Sequence, residues 1–388
     1  MNNERKKVSI LGSTGSVGTN TLDLLKRSPK SFKVSALTAN TNVNSLVEQA
    51  KATNAEFVAI ADPKKYIELK KALSGTKIEV AAGPNSIIEA ALRDCDFLMA
   101  SIVGVAGLVP TMEAVKSGKI IGLANKECLV SAGNVFVDAV KLNRATIIPV
   151  DSEHSAIFQV FDTNQTKTVR RVILTASGGP FRKFNLKELH NVTCEQALNH
   201  PNWNMGAKIS IDSATMMNKG LELIEAFYLF PVNQDAIEIL IHPESIIHSM
   251  VDYIDGSVLA QLAPPDMRIP IAYALGWPKR IKTPVKQLKL EEIGRLSFMA
   301  PDQDKFPSLR LAREALKQGG NAPTILNAAN EIAVSSFLTG KINFLTITNI
   351  VEETLKQINS ISLTTIDDVV QTDLEARRVA KDLCLSES

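Results

Sequence analysis

VSILGSTGSVGTNTLDLLKR, residues 8–27, is the stretch on which the fold turns: a short β-branched run, then Gly12, Gly15 and Gly18 at spacing three, then a helix-like run. A strand that enters a helix through a glycine-rich turn is the opening of a dinucleotide-binding βα unit. Glycines let the chain turn tightly and bring backbone N–H groups against a pyrophosphate, whose charge the helix N-terminus favours. Thr14 stands where GxGxxG has its second glycine, so the turn is a variant of that fingerprint, and a plain strand-to-helix turn of small residues would look similar.

Working outward, short apolar runs continue at VSAL (34–37), FVAI (57–60), FLMA (97–100), IIGL (120–123) and TIIPV (146–150), with longer helix-like segments between them. That alternation predicts a parallel sheet with crossover helices. After Val150 the rhythm changes. RVILT (171–175), EILIH (238–242) and SVLAQL (257–262) surround one long helical stretch near 213–229, which predicts an α+β part. Residues 279–301 are basic and broken by prolines, as a connector is. From Phe306 onward apolar residues recur at helical spacing (Leu309, Ala312, Ala315, Leu316; Ile325, Ala328, Ala329, Ile332, Ala333, Phe337). The expected fold is therefore α/β: a Rossmann-like dinucleotide-binding domain over 1–150, an α+β catalytic domain over 151–278, a linker over 279–301 and a small helical domain over 302–388.

Composition bounds the function. The 388 residues suffice for two or three domains, and 45% hydrophobic with 22% charged residues is ordinary for a globular chain. Lys plus Arg number 43 against 41 acids, a net charge of +2, so neither nucleic acid nor an anionic membrane is an expected partner. The longest apolar stretch, residues 97–109, is interrupted by Ser101, Gly104 and Gly107 and falls short of the ~18 apolar residues of a membrane span. MNNERKKVSILGST has too few apolar residues for a secretory signal, which predicts a cytoplasmic protein. The four cysteines, Cys95, Cys128, Cys194 and Cys384, are widely spaced and read as reduced thiols.

Two further patterns carry chemistry. At the end of the second strand, where NAD enzymes place an acid on the ribose 2′-hydroxyl, the chain reads Ala39, Asn40, Thr41, Asn42, Val43, Asn44, Ser45. With no carboxylate to repel a 2′-phosphate, NADP is favoured, although the same residues also suit a helix N-cap. TIIPV runs directly into Asp151, Ser152, Glu153 and His154. Were the chain extended there, Asp151 and Glu153 would share a face, and two converging acids call for a cation between them. Asn218, Lys219 and Glu222 lie at i, i+1 and i+4 of a helix and so stack on one side of it. All-oxygen ligands with no Cys or His cluster point to Mg²⁺ or Mn²⁺. Each acid taken singly is most simply a solvated surface group; together they indicate a site. Ser177, ahead of Gly178 and Gly179, and Ser213 in DSATMM are hydroxyls suited to a phosphate, and each is also an ordinary turn or cap residue.

These residues resemble the 1-deoxy-D-xylulose 5-phosphate reductoisomerase family, through GSTGSVG (12–18), LANKE (123–127), PVDSEHSAIFQ (149–159), TASGGPFR (175–182), HPNWNMG (200–206), DSATMMNKGLE (212–222), HPESIIHSM (242–250), PDMR (265–268) and LNAANE (326–331). The resemblance implies rearrangement of 1-deoxy-D-xylulose 5-phosphate, a sugar phosphate, and its reduction by NADPH to 2-C-methyl-D-erythritol 4-phosphate, by a homodimer that uses a divalent metal. It implies Asp151, Glu153 and Glu222 as metal ligands, with Glu222 thereby also against the substrate. Ser177, Ser213, Asn218 and Lys219 would hold the phosphate. Lys126, Ser152, Glu153 and His200 would meet the reacting part, with Lys126, Glu153 and His200 as the catalytic groups. Thr14, Gly15, Ser16, Val17, Asn125, Glu127 and Gly206 would line the dinucleotide, joined by the loop Asn40, Thr41 and Asn42. Family members often carry a glycine and a basic residue in that loop, where this chain has Asn40 and Thr41. HPNWNMG would be a flap, with Trp203 closing over the substrate. The competing enzyme reading is an NADP-dependent phosphorylating semialdehyde dehydrogenase with Cys128 as nucleophile; a non-enzymatic dinucleotide sensor would leave Asp151, Glu153 and Glu222 without a task.

Overall fold

The computed structural model describes residues 5–203 and 205–387. They form two compact units: one made of residues up to Cys128 with Phe136–Ser155 and Asp266–Val285, the other of Leu129–Val135, Ala156–Pro265 and the residues from Lys286 onward.

The first unit is built on a seven-stranded, all-parallel sheet: β1 (Lys6–Leu11), β2 (Phe32–Ala39), β3 (Phe57–Ile60), β4 (Glu79–Ala82), β5 (Phe97–Ala100), β6 (Ile120–Leu123) and β7 (Thr146–Pro149), in the order β4-β3-β2-β1-β5-β6-β7. β3 and β5 are buried at every position, as the middle strands of a sheet covered by helices on both faces must be. From β1 the chain steps outward to β4, then returns to β5 on the other side of β1. That reversal is the switch point, outside whose carboxyl edge open α/β sheets bind ligands. The α/β class and the Rossmann-like first part agree with the sequence reading, which named every strand of this sheet except β4. Residues 266–276, grouped by the sequence reading with 151–278, pack here instead: helix Arg268–Gly276 lies against helix Ser16–Arg27, and Lys6 Nζ donates to the Leu275 carbonyl at 2.8 Å.

The second unit carries a mixed sheet of β8 (Val169–Ala176), β9 (Ile237–Ile241), β10 (Ile247–Tyr253) and β11 (Val258–Leu262), in the order β11-β10-β8-β9, with only β8 and β9 parallel. The single long helix expected near 213–229 is two helices, Ala207–Ala214 and Met217–Leu229, separated where Met216 takes a left-handed conformation at φ +63°. The C-terminal helices Ser308–Gln318, Ala322–Leu338, Thr346–Gln357 and Ile366–Ser386 are present as the apolar spacing predicted. Their residues Leu309, Ala329 and Ile347 join Leu174 and Ile224 in one apolar cluster, so these helices complete the core under the second sheet. Part of 279–301 is also ordered on this sheet, because Ile241 and Met299 exchange backbone hydrogen bonds at 2.9 and 3.0 Å. Among the described residues no helix is long and apolar enough to cross a membrane, and all four cysteines are free thiols.

Candidate active site

Within the first unit, the glycine-rich turn leaves β1 and is fastened to β2. Gly12 N–H donates to Thr38 Oγ1 at 2.8 Å, and Ser13 Oγ donates to Gln49 Oε1 at 2.7 Å. A side chain at Gly18 would place its Cβ 2.5 Å from both Gly12 O and Ser13 Cα, a separation no Cβ adopts. That close approach draws helix Ser16–Arg27 onto the turn and leaves Thr14, Gly15, Ser16 and Val17 at its mouth, partly or fully exposed. Gly15 occupies the N-cap without a side-chain cap, so the first helical N–H groups face outward at the positive end of the helix. A pyrophosphate fits such a cradle. Asn40, Thr41 and Asn42 lie exposed beyond β2, and Asn42 caps the next helix by accepting from Ser45 N–H at 3.1 Å, the cap that the sequence also allowed.

Asn125, Lys126 and Glu127 leave β6 buried. Asn125 gives both amide protons to the Ile102 and Gly104 carbonyls and accepts Cys128 N–H at 3.1 Å, so its side chain is spent in shaping the β5 and β6 loops. Lys126 Nζ lies 2.6 Å from Asp151 Oδ2, a pairing made available because β6 and β7 are neighbours and both residues sit at the carboxyl ends of their strands.

The sequence reading of an extended chain at 151–153 is corrected by the structure. β7 stops at Pro149, helix Ser152–Val160 starts at once, and Asp151 O already accepts Ser155 N–H at 2.8 Å. Aspartate and serine favour such a helix start, and that preference overrides continuation of the strand. The two carboxylates converge all the same: oxygens of Asp151 and Glu153 lie within 4.8 Å of one another, at the positive end of a helix that favours their charge. Ser152 Oγ donates to Glu153 Oε2 at 2.6 Å. Paired carboxylate oxygens without a thiolate suit a hard divalent cation.

Within the second unit, the loop after β8 and the end of helix Ala207–Ala214 come together. Gly179, at φ +67°, passes so close that a Cβ there would stand 2.6 Å from Ser213 O. Ser177 Oγ accepts Gly179 N–H at 3.1 Å and lies 2.9 Å from His200 Nε2. His200 Nδ1 accepts the backbone N–H groups of Asn202 and Trp203 at 3.2 and 3.0 Å. Nδ1 therefore carries no proton, Nε2–H donates to Ser177, and the serine's own hydrogen is directed elsewhere. Burial, reinforced by the nearby Arg182 charge, holds the His200 pKa down at about 4. Asn218 Nδ2 donates to Glu222 Oε1 at 2.5 Å, and Lys219 pairs with the other oxygen of the same carboxylate, as the helical spacing predicted. Lys219 and Glu222 are buried, while Ser213 and Asn218 are half-buried.

Gly206 is the exposed N-cap of helix Ala207–Ala214. Trp203 is half-buried, edge-on to His248 with ring centroids 6.0 Å apart, and Asn204 of the same HPNWNMG stretch lies outside the described residues. Cys128 is fully buried, out of reach of an aldehyde, which removes the nucleophile that a semialdehyde dehydrogenase needs. Asn330 donates its amide to Asp212 at 2.7 Å and so anchors the helix that bears Ser213; in the sequence nothing but its place in LNAANE marks it.

Three family models match in succession: 1-deoxy-D-xylulose 5-phosphate reductoisomerase over residues 8–133, its C-terminal domain over 147–230, and the DXP reductoisomerase C-terminal domain over 262–379. The 1-deoxy-D-xylulose 5-phosphate reductoisomerase of Zymomonas mobilis subsp. mobilis is 53% identical over 372 residues, 96% of each chain. The chain belongs to the 1-deoxy-D-xylulose 5-phosphate reductoisomerase family. The reductoisomerase of Rhodospirillum centenum is likewise 53% identical, over 97% of this chain and 94% of that protein. Among solved reductoisomerases, the Zymomonas mobilis protein in complex with NADPH superposes with a TM-score of 0.94 at 51% identity, covering 98% and 99% of the two chains. A reductoisomerase in complex with NADPH, fosmidomycin and magnesium gives 0.94 at 40% identity, covering 98% of each.

Proposed function

We infer that the chain rearranges 1-deoxy-D-xylulose 5-phosphate and reduces the product with NADPH to 2-C-methyl-D-erythritol 4-phosphate, with a divalent metal as cofactor. It is an NADPH-dependent oxidoreductase of isoprenoid biosynthesis. The observation that carries this reading beyond family membership is the Lys126, Asp151 and Glu153 cluster at the carboxyl ends of β6 and β7, on the sheet whose first turn is shaped for a dinucleotide.

Asp151 and Glu153, with Glu222, are the residues we assign to the metal, Mg²⁺ or Mn²⁺. Ser177, Ser213, Asn218 and Lys219 are assigned to the phosphate; Lys126, Ser152, Glu153, His200, Trp203 and Glu222 to the rest of the substrate; and Thr14, Gly15, Ser16, Val17, Asn40, Thr41, Asn42, Asn125, Glu127 and Gly206 to the dinucleotide. Support comes from the pairing of Asp151 with Lys126, the hydrogen of Ser177 left to donate, and the uncapped N–H groups of the helix that starts at Ser16. The unit built on the parallel sheet, which takes in Asp266–Val285, then serves the dinucleotide, and the unit that carries β8–β11 and the C-terminal helices serves the sugar phosphate. A cytoplasmic homodimer that binds neither nucleic acid nor membrane fits the near-neutral charge.

When bound, the metal and NADPH supply a Lewis acid for the ketose oxygens and two reducing electrons. The chain's own residues do the rest. Lys126, held by Asp151 at 2.6 Å, is placed to donate a hydrogen bond or a proton to an oxygen that gains charge as the carbon skeleton shifts. Ser177 donates to the phosphate because His200 Nε2–H already fills one of its acceptor positions. Closure of residues 200–206 would keep water from the aldehyde until it is reduced.

The test is loss of NADPH absorbance with 1-deoxy-D-xylulose 5-phosphate, before and after chelation. Activity should vanish with the cation and return with Mg²⁺ or Mn²⁺, and Glu222→Gln should lower kcat and metal affinity together. Full turnover in the chelated protein would overturn the assignment.

A further inference from the structure

The turn joining β9 to β10 is held more firmly than a connection requires. His242, fully buried, accepts the backbone N–H groups of Ile246 and Ile247 on Nε2, both at 3.1 Å, and its Nδ1 lies 2.9 Å from the Ser297 carbonyl, to which it donates. Phe298 stacks on its ring at 4.8 Å, and Ser297 N–H donates to Glu244 Oε2 at 3.1 Å. In this frame Ser245 sits at φ +51°, a conformation that side-chain-bearing residues seldom adopt. Strain of that kind persists where the surrounding structure enforces it, and it gathers where a side chain is put to use.

The hydroxyl it presents is in use. Asn202 Nδ2 donates to Ser245 Oγ at 2.9 Å and to the Pro243 carbonyl at 2.6 Å. The next residue, Trp203, sets its ring edge-on to His248. Two successive residues of HPNWNMG thus land on the two ends of one braced turn. The backbone N–H groups of the same two residues are the ones that rest on His200 Nδ1 and keep its proton on Nε2, facing Ser177. Detaching Asn202 would free Trp203 from His248 and release His200 to change tautomer.

We propose that Asn202 and Ser245 are positioning residues for the reaction: together they form a latch that holds the 200–203 segment against the β9–β10 turn and so sets Trp203 and His200 for the sugar phosphate. This rests on the reading of that segment as the substrate flap. Neither residue need touch substrate. Asn202 acts through its neighbours on the flap, and Ser245 acts through Asn202.

The experiment compares wild type, Asn202→Ala, Ser245→Gly and the double variant by KM for 1-deoxy-D-xylulose 5-phosphate, KM for NADPH, and tryptophan emission. Ser245→Gly is informative because glycine accepts a positive φ, so it removes the hydroxyl while relieving the backbone and cannot lose function through strain. Asn202→Ala should raise KM for the sugar phosphate about tenfold, the loss of one or two neutral hydrogen bonds, with KM for NADPH within about twofold of wild type. Ser245→Gly should follow in the same direction to a smaller extent, and the double variant should match Asn202→Ala, since both substitutions break a shared contact. Emission should shift to the red in Asn202→Ala as Trp203 leaves His248, with Trp277 the only other tryptophan. Unchanged emission, an equal rise in both KM values, or strictly multiplicative effects in the double variant would overturn the latch. Failure of the flap reading itself would look different: the emission shift would occur while KM for the sugar phosphate stayed at the wild-type value.

Discussion

His200 shows how far a single residue can be taken from chemistry alone. Two backbone N–H groups point at Nδ1, so the ring resists a second proton, and burial beside Arg182 works in the same direction. Its pKa of about 4 lies below the ordinary 6.5, so between those two values the unfolded chain binds a proton that the folded one refuses. Its contribution to stability is therefore complete above about pH 6.5 and declines as the pH falls through about 4. A nuclear magnetic resonance titration of the His200 ring should show its midpoint near 4; a midpoint near 6.5 would mean that the two N–H groups are not held on Nδ1. For Cys128, burial decides. Cys128→Ser should keep NADPH oxidation within about threefold of wild type while losing about 1 kcal/mol of stability, read by urea denaturation, for a hydroxyl moved into the interior. The acids at 151 and 153 could be found in the sequence because they stand together at the end of a strand-like run, although what brings their oxygens together is a helix start and not an extended chain. The roles of Asn202 and Ser245 could not, because they depend on a turn some 40 residues away along the chain.

At the scale of elements, the strands that were legible are those whose β-branched or apolar residues run unbroken, such as FVAI and FLMA. β4 escaped because Glu79–Ala82 is short, alanine-rich and at a sheet edge, where little burial is needed. β10 escaped because Ile247–Tyr253 is buried on both faces while carrying His248, Ser249 and Asp252, so neither alternation nor an apolar run marks it. The break at Met216 was invisible for a related reason: no glycine or proline announces it. The glycine-rich turn was legible, since its glycines are demanded by contact. Gly18→Ala should lower stability by about 1–3 kcal/mol through overpacking and should raise the Kd for NADPH severalfold, measured by calorimetry, because the added methyl pushes the helix start off the turn. Unchanged NADPH affinity would mean that this turn is not the pyrophosphate cradle.

For the molecule as a whole, the donors at the turn are backbone groups that need no cation. NADPH alone, at about 100 times its Kd, should stabilise the protein by about 2.7 kcal/mol in a thermal scan, with or without Mg²⁺. A shift in Tm that appeared only with Mg²⁺ would tie the dinucleotide to the acids instead. The broad class and the helical end were readable from periodicity, which is a local property. The grouping of distant segments was not, because helix Arg268–Gly276 reveals its destination only through partners such as Asp23, 3.4 Å from Arg268.

That grouping has a consequence for how the protein can be made. The sheet unit recruits its last piece, Asp266–Val285, more than a hundred residues after β7 ends. A nascent chain leaving the ribosome therefore holds an unfinished first unit until about three quarters of it has been translated, and no single cleavage near residue 150 would release a self-sufficient nucleotide-binding fragment.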